Sequence, residues 1–196
     1  MSRVLVTVGT DHHRFDRLIG WVDRWAAAHP DAEVLVQHGS ADPPANGTAV
    51  VMLGYDELVA EMGAADVVIA QGGPATIMDA RSVGQRPIVI PRLARFQEVV
   101  DDHQVAFTDW MAAKELVWLA ADEAELHELI DAALADPDRV RIPPERGASA
   151  ATIEAFRAVV DPLTVRRAGQ RPWRQRPPAG DRKSTRLNSS HLGISY

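Results

Sequence analysis

The sequence contains no cysteine among its 196 residues. Disulfide bridges, thiolate metal sites and cysteine nucleophiles are therefore excluded together. Long apolar runs are also lacking: residues 4–8, the first apolar stretch, are far fewer than the roughly 18 residues that a membrane span needs, and they lack a signal-peptide cleavage pattern. We therefore expect a cytoplasmic protein whose chemistry uses oxygen and nitrogen groups.

Basic charge is scarce in most of the chain. Residues 1–162 hold 13 basic and 26 acidic side chains, a net charge of −13, whereas residues 163–196 carry a net charge of +7. A nucleic-acid partner requires a basic face for its phosphates, so the acidic body argues against such a partner. The composition, 46% hydrophobic and 24% charged, is that of an ordinary globular protein with material for one core.

Short β-branched runs alternate with helical patterns through most of the sequence. Strands are predicted at residues 3–10, 33–37, 49–53, 66–70, 86–91 and 116–119, and helices at 15–25, 56–63, 75–83, 101–113, 122–135 and 149–160. Near-continuous apolar strands that alternate with helices indicate a parallel sheet covered on both faces. The sequence therefore predicts an α/β fold, a doubly wound parallel sheet of the Rossmann-like type.

The chain divides into three segments of different composition. Residues 1–162 are predicted to form a single domain, and the Pro-, Arg-, Gln- and Gly-rich residues 163–180 a disordered basic tail. Residues 181–196 resemble a peptide produced when sequencing-adapter DNA is translated at the end of an assembled contig, and we interpret them as an artefact. On that interpretation the true C-terminus is missing.

One glycine-rich loop follows a buried strand and opens a helix at residues 71–76. In a parallel sheet, ligands bind at such carboxyl ends of strands. Gly72 and Gly73 would let an anion reach free N–H groups at the positive end of the helix, where a diphosphate would fit. Asp79 lies one turn further on, where its carboxylate could accept hydrogen bonds from ribose hydroxyls. A tight strand-to-helix turn followed by a solvated aspartate explains the same residues without a ligand.

Two further loops belong to the same predicted edge of the sheet. Gly9 and Thr10 follow the first strand and offer close backbone approach and a hydroxyl group, although glycine here is often only turn chemistry. The acidic residues that open the segment 101–104 suit a helix start. His103 and Gln104 offer donors and acceptors for a polyhydroxylated ring, yet a surface position is the simpler explanation of the pair.

A metal site is not expected from the sequence. No pair of histidine or carboxylate residues has convincing metal spacing. His12 and His13 are adjacent, so their rings are expected to diverge. We therefore predict neither a metal nor another cofactor.

Taken together, these segments resemble the C-terminal domain of family 28 glycosyltransferases, a group with the GT-B fold. The resemblance covers about residues 3–135, in order and with the family's spacing, and rests on residues 4–10, 15–19, 36–39, 65–69, 72–76, 84–91 and 101–104. The first two segments look like short stand-alone members. These include the catalytic subunit of the two-component N-acetylglucosaminyltransferase of dolichol-linked oligosaccharide synthesis and bacterial exopolysaccharide glycosyltransferases.

The resemblance implies a donor site for a nucleotide sugar. The matching positions in this sequence are Gly9, Thr10, Gly72, Gly73, Ala75, Thr76, Asp79, His103 and Gln104. By the resemblance, the turn at residues 72–76 holds the diphosphate, Asp79 holds the ribose, and the pair at 103–104 contacts the sugar. The loop at residues 9–10 faces the donor from the opposite side. Pro74 departs from the family's usual Ala or Ser and removes one N–H group from the anion site.

The resemblance also implies a reaction. A hexosyl group would pass from a UDP-sugar such as UDP-N-acetylglucosamine to a lipid-linked acceptor in polysaccharide or glycolipid synthesis, with no obligatory metal. Because the chain opens on the donor-domain strand, we expect a membrane-anchored partner subunit to bind the acceptor and to hold the protein at the inner face of the membrane. His13 is the candidate base in this chain, although the base can equally belong to the partner.

Two other functions stay open at this point. A nucleotide-sugar epimerase shares the architecture but needs both domains in one chain. A nucleotide-sugar-binding module without transfer activity is the non-enzyme alternative, against which the intact Thr76, Asp79 and Gln104 argue. A neighbouring gene for a membrane-anchored acceptor subunit would favour the transferase, and a solitary gene would favour the binding module.

Overall fold

A computed structural model describes residues 2–145 of the chain. Its strands are β1 (Arg3–Thr7), β2 (Glu33–Gln37), β3 (Thr48–Val50), β4 (Val67–Gln71), β5 (Ile88–Ile90) and β6 (Trp118–Leu119). Its helices are α1 (Asp16–Ala28), α2 (Tyr55–Ala64), α3 (Pro74–Ser82), α4 (His103–Ala113) and α5 (Glu123–Ala135). The predicted helix at 149–160, the end of the predicted domain at 162, the tail at 163–180 and the segment 181–196 lie outside the described residues.

The strands form one parallel sheet in the order β3-β2-β1-β4-β5-β6. In β1, Leu5 pairs with Leu35 of β2 on one side and with Val68 of β4 on the other. The chain therefore starts in the middle of the sheet, runs outward to β3 and returns to the opposite side of β1. Such a reversal is the switch point at which open α/β sheets bind ligands. The predicted doubly wound parallel sheet is confirmed.

Alternate residues of β1 pack into two separate apolar cores. Val4 and Val6 belong to the larger apolar cluster, which includes side chains of α1 and α5. Leu5 points to the opposite face, where it joins Met62 of α2 and Ala80 of α3. Because successive side chains of a strand alternate between faces, a strand covered on both sides must be apolar throughout. This explains the unbroken apolar runs in the sequence.

The predicted elements agree with the observed ones to within a few residues. The first strand, predicted at 3–10, ends at Thr7, and Gly9 adopts a φ of +74°, which favours glycine. The helix predicted at 101–113 begins only at His103, whose N–H group is bonded by the Asp101 carboxylate at 2.9 Å. None of the described helices is long and apolar enough to cross a bilayer.

Candidate donor site

The loops that carry the predicted donor residues meet at the carboxyl edge of β1, β4 and β5, which are neighbouring strands. Gln71, the last residue of β4, lies between two of these loops. A Cβ atom placed on Gly9 would lie 2.8 Å from Gln71 Nε2, and one placed on Gly73 would lie closer still. The β1–α1 loop and the β4–α3 turn therefore both lie against the buried amide group of Gln71.

The N-terminus of α3 is open toward this edge. Gly73 is the N-cap, Pro74 is the first helical residue, and no side chain of the described residues caps the helix. The N–H groups of Ala75 and Thr76 have no acceptor within the helix, as in any first turn. These groups and the positive helix end form a suitable place for an anion. Ala75 is exposed, whereas Thr76 is buried.

Gly72 lies against α4. A Cβ atom at this position would stand 2.8 Å from Thr108 Cγ2 and 3.0 Å from Gln104 Oε1, and both of those residues belong to α4. A contact shorter than van der Waals distance forces one partner to move. We infer that the missing side chain lets the β4–α3 turn pack directly on α4. The contact of Gly72 with a diphosphate stays a prediction.

The two predicted sugar-contacting residues differ in their environments. Gln104 is only 6% exposed, and its Oε1 accepts the N–H group of Arg92 at 3.1 Å. His103 is exposed, and its backbone N–H group and its Nδ1 both contact Asp101 Oδ1. These contacts hold the pKa of the Asp101 carboxyl below its ordinary value of 3.8. His103 is accessible to a ligand, whereas the oxygen of Gln104 is already used within the protein, so the sugar contacts stay predictions.

Asp79 contacts an aromatic residue that the sequence analysis missed. The hydroxyl group of Tyr55, the first residue of α2, donates to Asp79 Oδ1 at 3.3 Å. The Asp79 charge and this hydrogen bond raise the pKa of Tyr55 above its ordinary value of 10.0. Tyr55 is 67% exposed. Its ring therefore stands in solvent beside the carboxylate that is predicted to hold the ribose.

The β1–α1 loop carries a hydrogen-bonded aspartate–histidine pair, whereas Thr10 beside it is exposed. Asp11 Oδ1 accepts the N–H group of His13 at 2.8 Å and lies 2.6 Å from His13 Nδ1. Burial acts to raise the pKa of Asp11, but the hydrogen bonds from His13 and the charges of Arg92 and His13 outweigh it. The net pKa of Asp11 therefore lies below 3.8.

Arg92, two residues beyond β5, is hydrogen-bonded to this loop. Its fully buried guanidinium donates to the carbonyl oxygens of His13 at 2.8 Å, Val8 at 2.9 Å and Glu98 at 2.9 Å. Burial lowers the pKa of Arg92. It lies over the ring of Phe15, with its Cζ atom 4.7 Å from the ring centroid. Arg92 therefore ties both ends of the loop to the β5–α4 connection.

His12 and His13 lie side by side, so the interpretation that their rings diverge is wrong. The ring centroids are 4.0 Å apart, because the backbone of His13 turns back to bond Asp11 and neighbouring side chains no longer point to opposite sides. The three residues bring atoms that could bind a metal ion within 4.8 Å of one another. Two of these residues, His13 and Asp11, are already bonded to each other. The absence of a metal site stays a prediction.

A cavity of about 680 Å³ opens between the β1–α1 and β5–α4 loops. Its walls are formed by His12, His13, Arg14, Asp16, Arg17, Phe96, Gln97 and Glu98. Arg17 donates to both carboxylate oxygens of Glu98, at 2.9 and 2.8 Å. Arg14 donates to both oxygens of Asp16, at 2.7 and 3.0 Å. Each arginine of the cavity wall is therefore paired with a carboxylate.

Gln37 connects the loops after β1 and β3. Its Nε2 donates to Thr7 Oγ1 at 3.2 Å and to the Gly9 carbonyl at 3.4 Å, and its Oε1 accepts the N–H group of Leu53 at 3.1 Å. Neither Gln37 nor Arg92 was predicted from the sequence to have a role. Both could have been recognised in the sequence as polar residues at, or just beyond, the end of an apolar strand.

A doubly wound parallel sheet whose loops meet at its switch point is the architecture of the Rossmann-like class of domains. Within that class the chain matches the family described as "Glycosyltransferase family 28 C-terminal domain" over residues 3–161. The chain belongs to this family. The resemblance inferred from its motifs is therefore confirmed.

A curated relative is the UDP-N-acetylglucosamine--N-acetylmuramyl-(pentapeptide) pyrophosphoryl-undecaprenol N-acetylglucosamine transferase of Acidithiobacillus ferrooxidans. It is 33% identical over 87 residues, which are 42% of this chain and 23% of that protein. The chain therefore matches about a quarter of the length of this relative.

Two solved structures share the fold. The glycotransferase of kitacinnamycin aligns with a TM-score of 0.54 at 18% identity, covering 70% of this chain and 36% of that one. A UDP-GlcNAc 2-epimerase from Neisseria meningitidis bound to UDP-GlcNAc aligns with a TM-score of 0.51 at 11% identity, covering 82% and 44%. At these identities the likeness shows the fold alone, and the fold is shared by a transferase and an epimerase.

Proposed function

We propose that this chain is the donor-binding and catalytic part of a glycosyltransferase that moves a hexosyl group from a UDP-sugar to a lipid-linked acceptor. The observation that carries the proposal is the convergence of three features at the β1–β4 switch point. They are the open N-terminus of α3, the Gly9 loop and Asp79. The curated relative is named for UDP-N-acetylglucosamine and an undecaprenol-linked acceptor, which supports this pair of substrates.

The donor lies along α3 in this proposal. Its diphosphate accepts the N–H groups of Ala75 and Thr76, and its ribose hydroxyls donate to Asp79. The exposed ring of Tyr55 offers an apolar face to the base. His103, at the start of α4, contacts the sugar, and Gln104 contributes its amide nitrogen.

The chemistry requires charge stabilisation and a base. As the bond from the sugar C1 to the diphosphate breaks, the positive end of α3 stabilises the departing negative charge without a metal ion. His13 accepts the proton of the acceptor hydroxyl. A membrane-anchored partner subunit binds the lipid part of the acceptor and keeps this chain at the cytoplasmic face of the membrane, as the resemblance to two-component enzymes suggests.

Calorimetry with the full chain tests donor binding. UDP and UDP-N-acetylglucosamine are expected to release heat on binding, and Asp79→Ala is expected to weaken UDP far more than inorganic diphosphate, which has no ribose. Asp31→Asn, an exposed change before β2 and thus at the opposite edge of the sheet, is the matched control. No heat up to millimolar ligand from a folded protein would refute the proposal. Equal weakening of both ligands would show that Asp79 does not bind the ribose.

Transfer to a lipid-linked acceptor needs the partner, because the partner binds the lipid part. Co-expression with candidate membrane subunits, followed by a transfer assay on lipid-linked acceptors, is expected to yield a glycosylated lipid. Donor binding without transfer in any such complex would instead identify a nucleotide-sugar-binding module.

A further inference from the structure

We propose that the cavity between the β1–α1 and β5–α4 loops receives an uncharged hydroxyl group of the acceptor, and that Asp11 positions His13 to take the proton of that hydroxyl. The inference rests on the proposed function. It adds the chemical class of the group that enters the cavity and a positioning residue for the base.

The geometry of the pair selects one form of the histidine ring. One oxygen of Asp11 contacts both the backbone N–H group and the Nδ1 atom of His13, at 2.8 and 2.6 Å. Of the two neutral forms of the ring, a carboxylate so close to Nδ1 favours the one that carries its proton on Nδ1. The lone pair then lies on Nε2, which is the form that a general base requires.

The loop is held in this geometry from two directions. Arg92 is completely buried and bonds the carbonyl oxygen of His13 itself. Asp11 bonds the N–H group of the same residue. Both backbone polar groups of His13 are therefore fixed while its side chain stays 24% exposed at the wall of the cavity. Such fixed placement lowers the entropic part of the barrier in a reaction between two bound groups.

The cavity suits a neutral sugar better than a phosphate. Arg14 and Arg17, the arginines of its wall, are both bonded to carboxylates at hydrogen-bond distance. Phe96, which is 52% exposed, adds an apolar face. The volume of about 680 Å³ lies within the range of roughly 300–1,000 Å³ that is usual for small-molecule sites. A pyranose ring combines apolar C–H faces with hydroxyl groups and matches this lining.

The step balances within the proposed reaction. The acceptor oxygen forms a bond to the sugar C1 and gives its proton to Nε2 of His13. The bond from C1 to the diphosphate breaks, and its electron pair leaves with the diphosphate. The imidazolium that results is stabilised by the Asp11 carboxylate on its other nitrogen, as in other aspartate–histidine pairs.

Nitrogen NMR on the full chain tests the pair without reference to activity. Long-range 1H–15N spectra are expected to show that the neutral form of His13 carries its proton on Nδ1. Asp11→Ala, which removes the accepting oxygen, is expected to abolish this preference, and Asp31→Ala to preserve it. A wild-type ring protonated on Nε2 would overturn the proposal. So would tight Zn²⁺ binding that replaces the His13–Asp11 contact, because the cluster would then be a metal site.

Kinetics separate positioning from folding and from donor binding. With UDP-N-acetylglucosamine as probe and water as acceptor, Asp11→Asn is expected to lower the kcat of UDP release on the order of a hundredfold. Its KM for the donor and its affinity for UDP in calorimetry should match those of wild type. Equal effects on kcat and KM, an unchanged kcat, or no UDP release from wild type that binds UDP would each overturn the inference. Absent UDP binding in wild type would refute the proposed function instead.

The neutral acceptor has its own test. Methyl β-D-glucopyranoside is expected to compete with water and form a disaccharide derivative, and Phe96→Ala should raise its KM without changing the KM of the donor. A glycosyl phosphate that competes much better than the neutral glycoside would overturn the assignment of an uncharged acceptor group.

Discussion

Arg17 of α1 and Glu98 of the β5–α4 loop form a two-pronged ion pair, with distances of 2.9 and 2.8 Å, although they are 81 positions apart in the sequence. The Glu98 side chain is only 4% exposed. Its Oε2 also accepts the N–H group of Leu93, and Arg17 donates to the carbonyl oxygen of Pro91. The pair therefore fixes the β5–α4 loop, which forms one wall of the cavity, to the first helix.

Glu98→Gln is expected to destabilise the fold strongly, because it leaves the Arg17 guanidinium largely buried without its counter-charge. Removing one partner of a buried pair typically lowers the free energy of unfolding by about 3–5 kcal/mol. Urea denaturation measures the loss. The control is Glu123→Gln, which breaks the more exposed pair with Arg24 and should lower stability by at most about 1 kcal/mol. Similar losses in the two variants would contradict the structural role of Glu98.

Gly72→Ala is expected to lower the free energy of unfolding by about 1–3 kcal/mol, because the added methyl group would overlap Thr108 Cγ2. Thr108→Ser removes that methyl group and keeps the hydroxyl, so the double variant should recover part of the loss. Thermal unfolding of the four proteins of this cycle measures the coupling. Gly54→Ala is the control, since nothing lies within 4 Å of its added methyl group. Additive losses would show that a methyl group at position 72 does not meet Thr108.

The bounds of a strand were predictable where they depend on the residues of that strand alone. β2 occupies residues 33–37 as predicted, because its apolar residues fill both cores. β3 was predicted at 49–53 but ends at Val50, which pairs with Gln37, the last residue of β2. A strand ends where its partner ends, and no local pattern records that limit. Beyond it, the Gln37 side chain bonds Leu53 instead.

The candidate site was likewise predictable only where it depends on neighbouring residues in the sequence. The turn at residues 72–76 was predictable, because glycines before a helix are a local signal. Tyr55 and Arg92 were missed, because they reach Asp79 and His13 across 24 and 79 sequence positions. The burial of Gln104 was missed for a related reason: its acceptor role depends on where β5 ends. Long-range hydrogen bonds at a sheet edge follow from topology rather than from spacing.

Asp79→Asn is expected to lower the pKa of Tyr55 toward 10.0, because the carboxylate charge that disfavours tyrosinate is lost. Titration of the tyrosinate absorbance against pH measures the change. The chain has two tyrosines, so Tyr55→Phe assigns the signal. An unchanged Tyr55 titration would show that the two side chains do not meet in solution.

Asp16→Asn is expected to reduce stability most at neutral pH and least in acid. Hydrogen bonding to Arg14 lowers the pKa of Asp16 below its ordinary value of 3.8, with burial acting in the opposite direction. Stability from this carboxylate is therefore complete well above pH 3.8 and declines as the pH falls through the lowered value. Urea denaturation from neutral pH downward should show the curves of wild type and variant converging. Asp31→Asn controls for the charge change, and a constant difference at every pH would contradict the pairing.

Donor binding is expected to be independent of divalent cations. In the proposed complex the positive end of α3 attracts the diphosphate, and the N–H groups of Ala75 and Thr76 bond its oxygens directly. UDP calorimetry with EDTA and then with added Mg²⁺ should therefore give the same affinity. A loss of about tenfold with EDTA, equivalent to 1.4 kcal/mol, would contradict this expectation. The same titration in His12→Asn would then show whether the first loop holds the cation, because that change removes one ring of the cluster and leaves the His13–Asp11 contact intact.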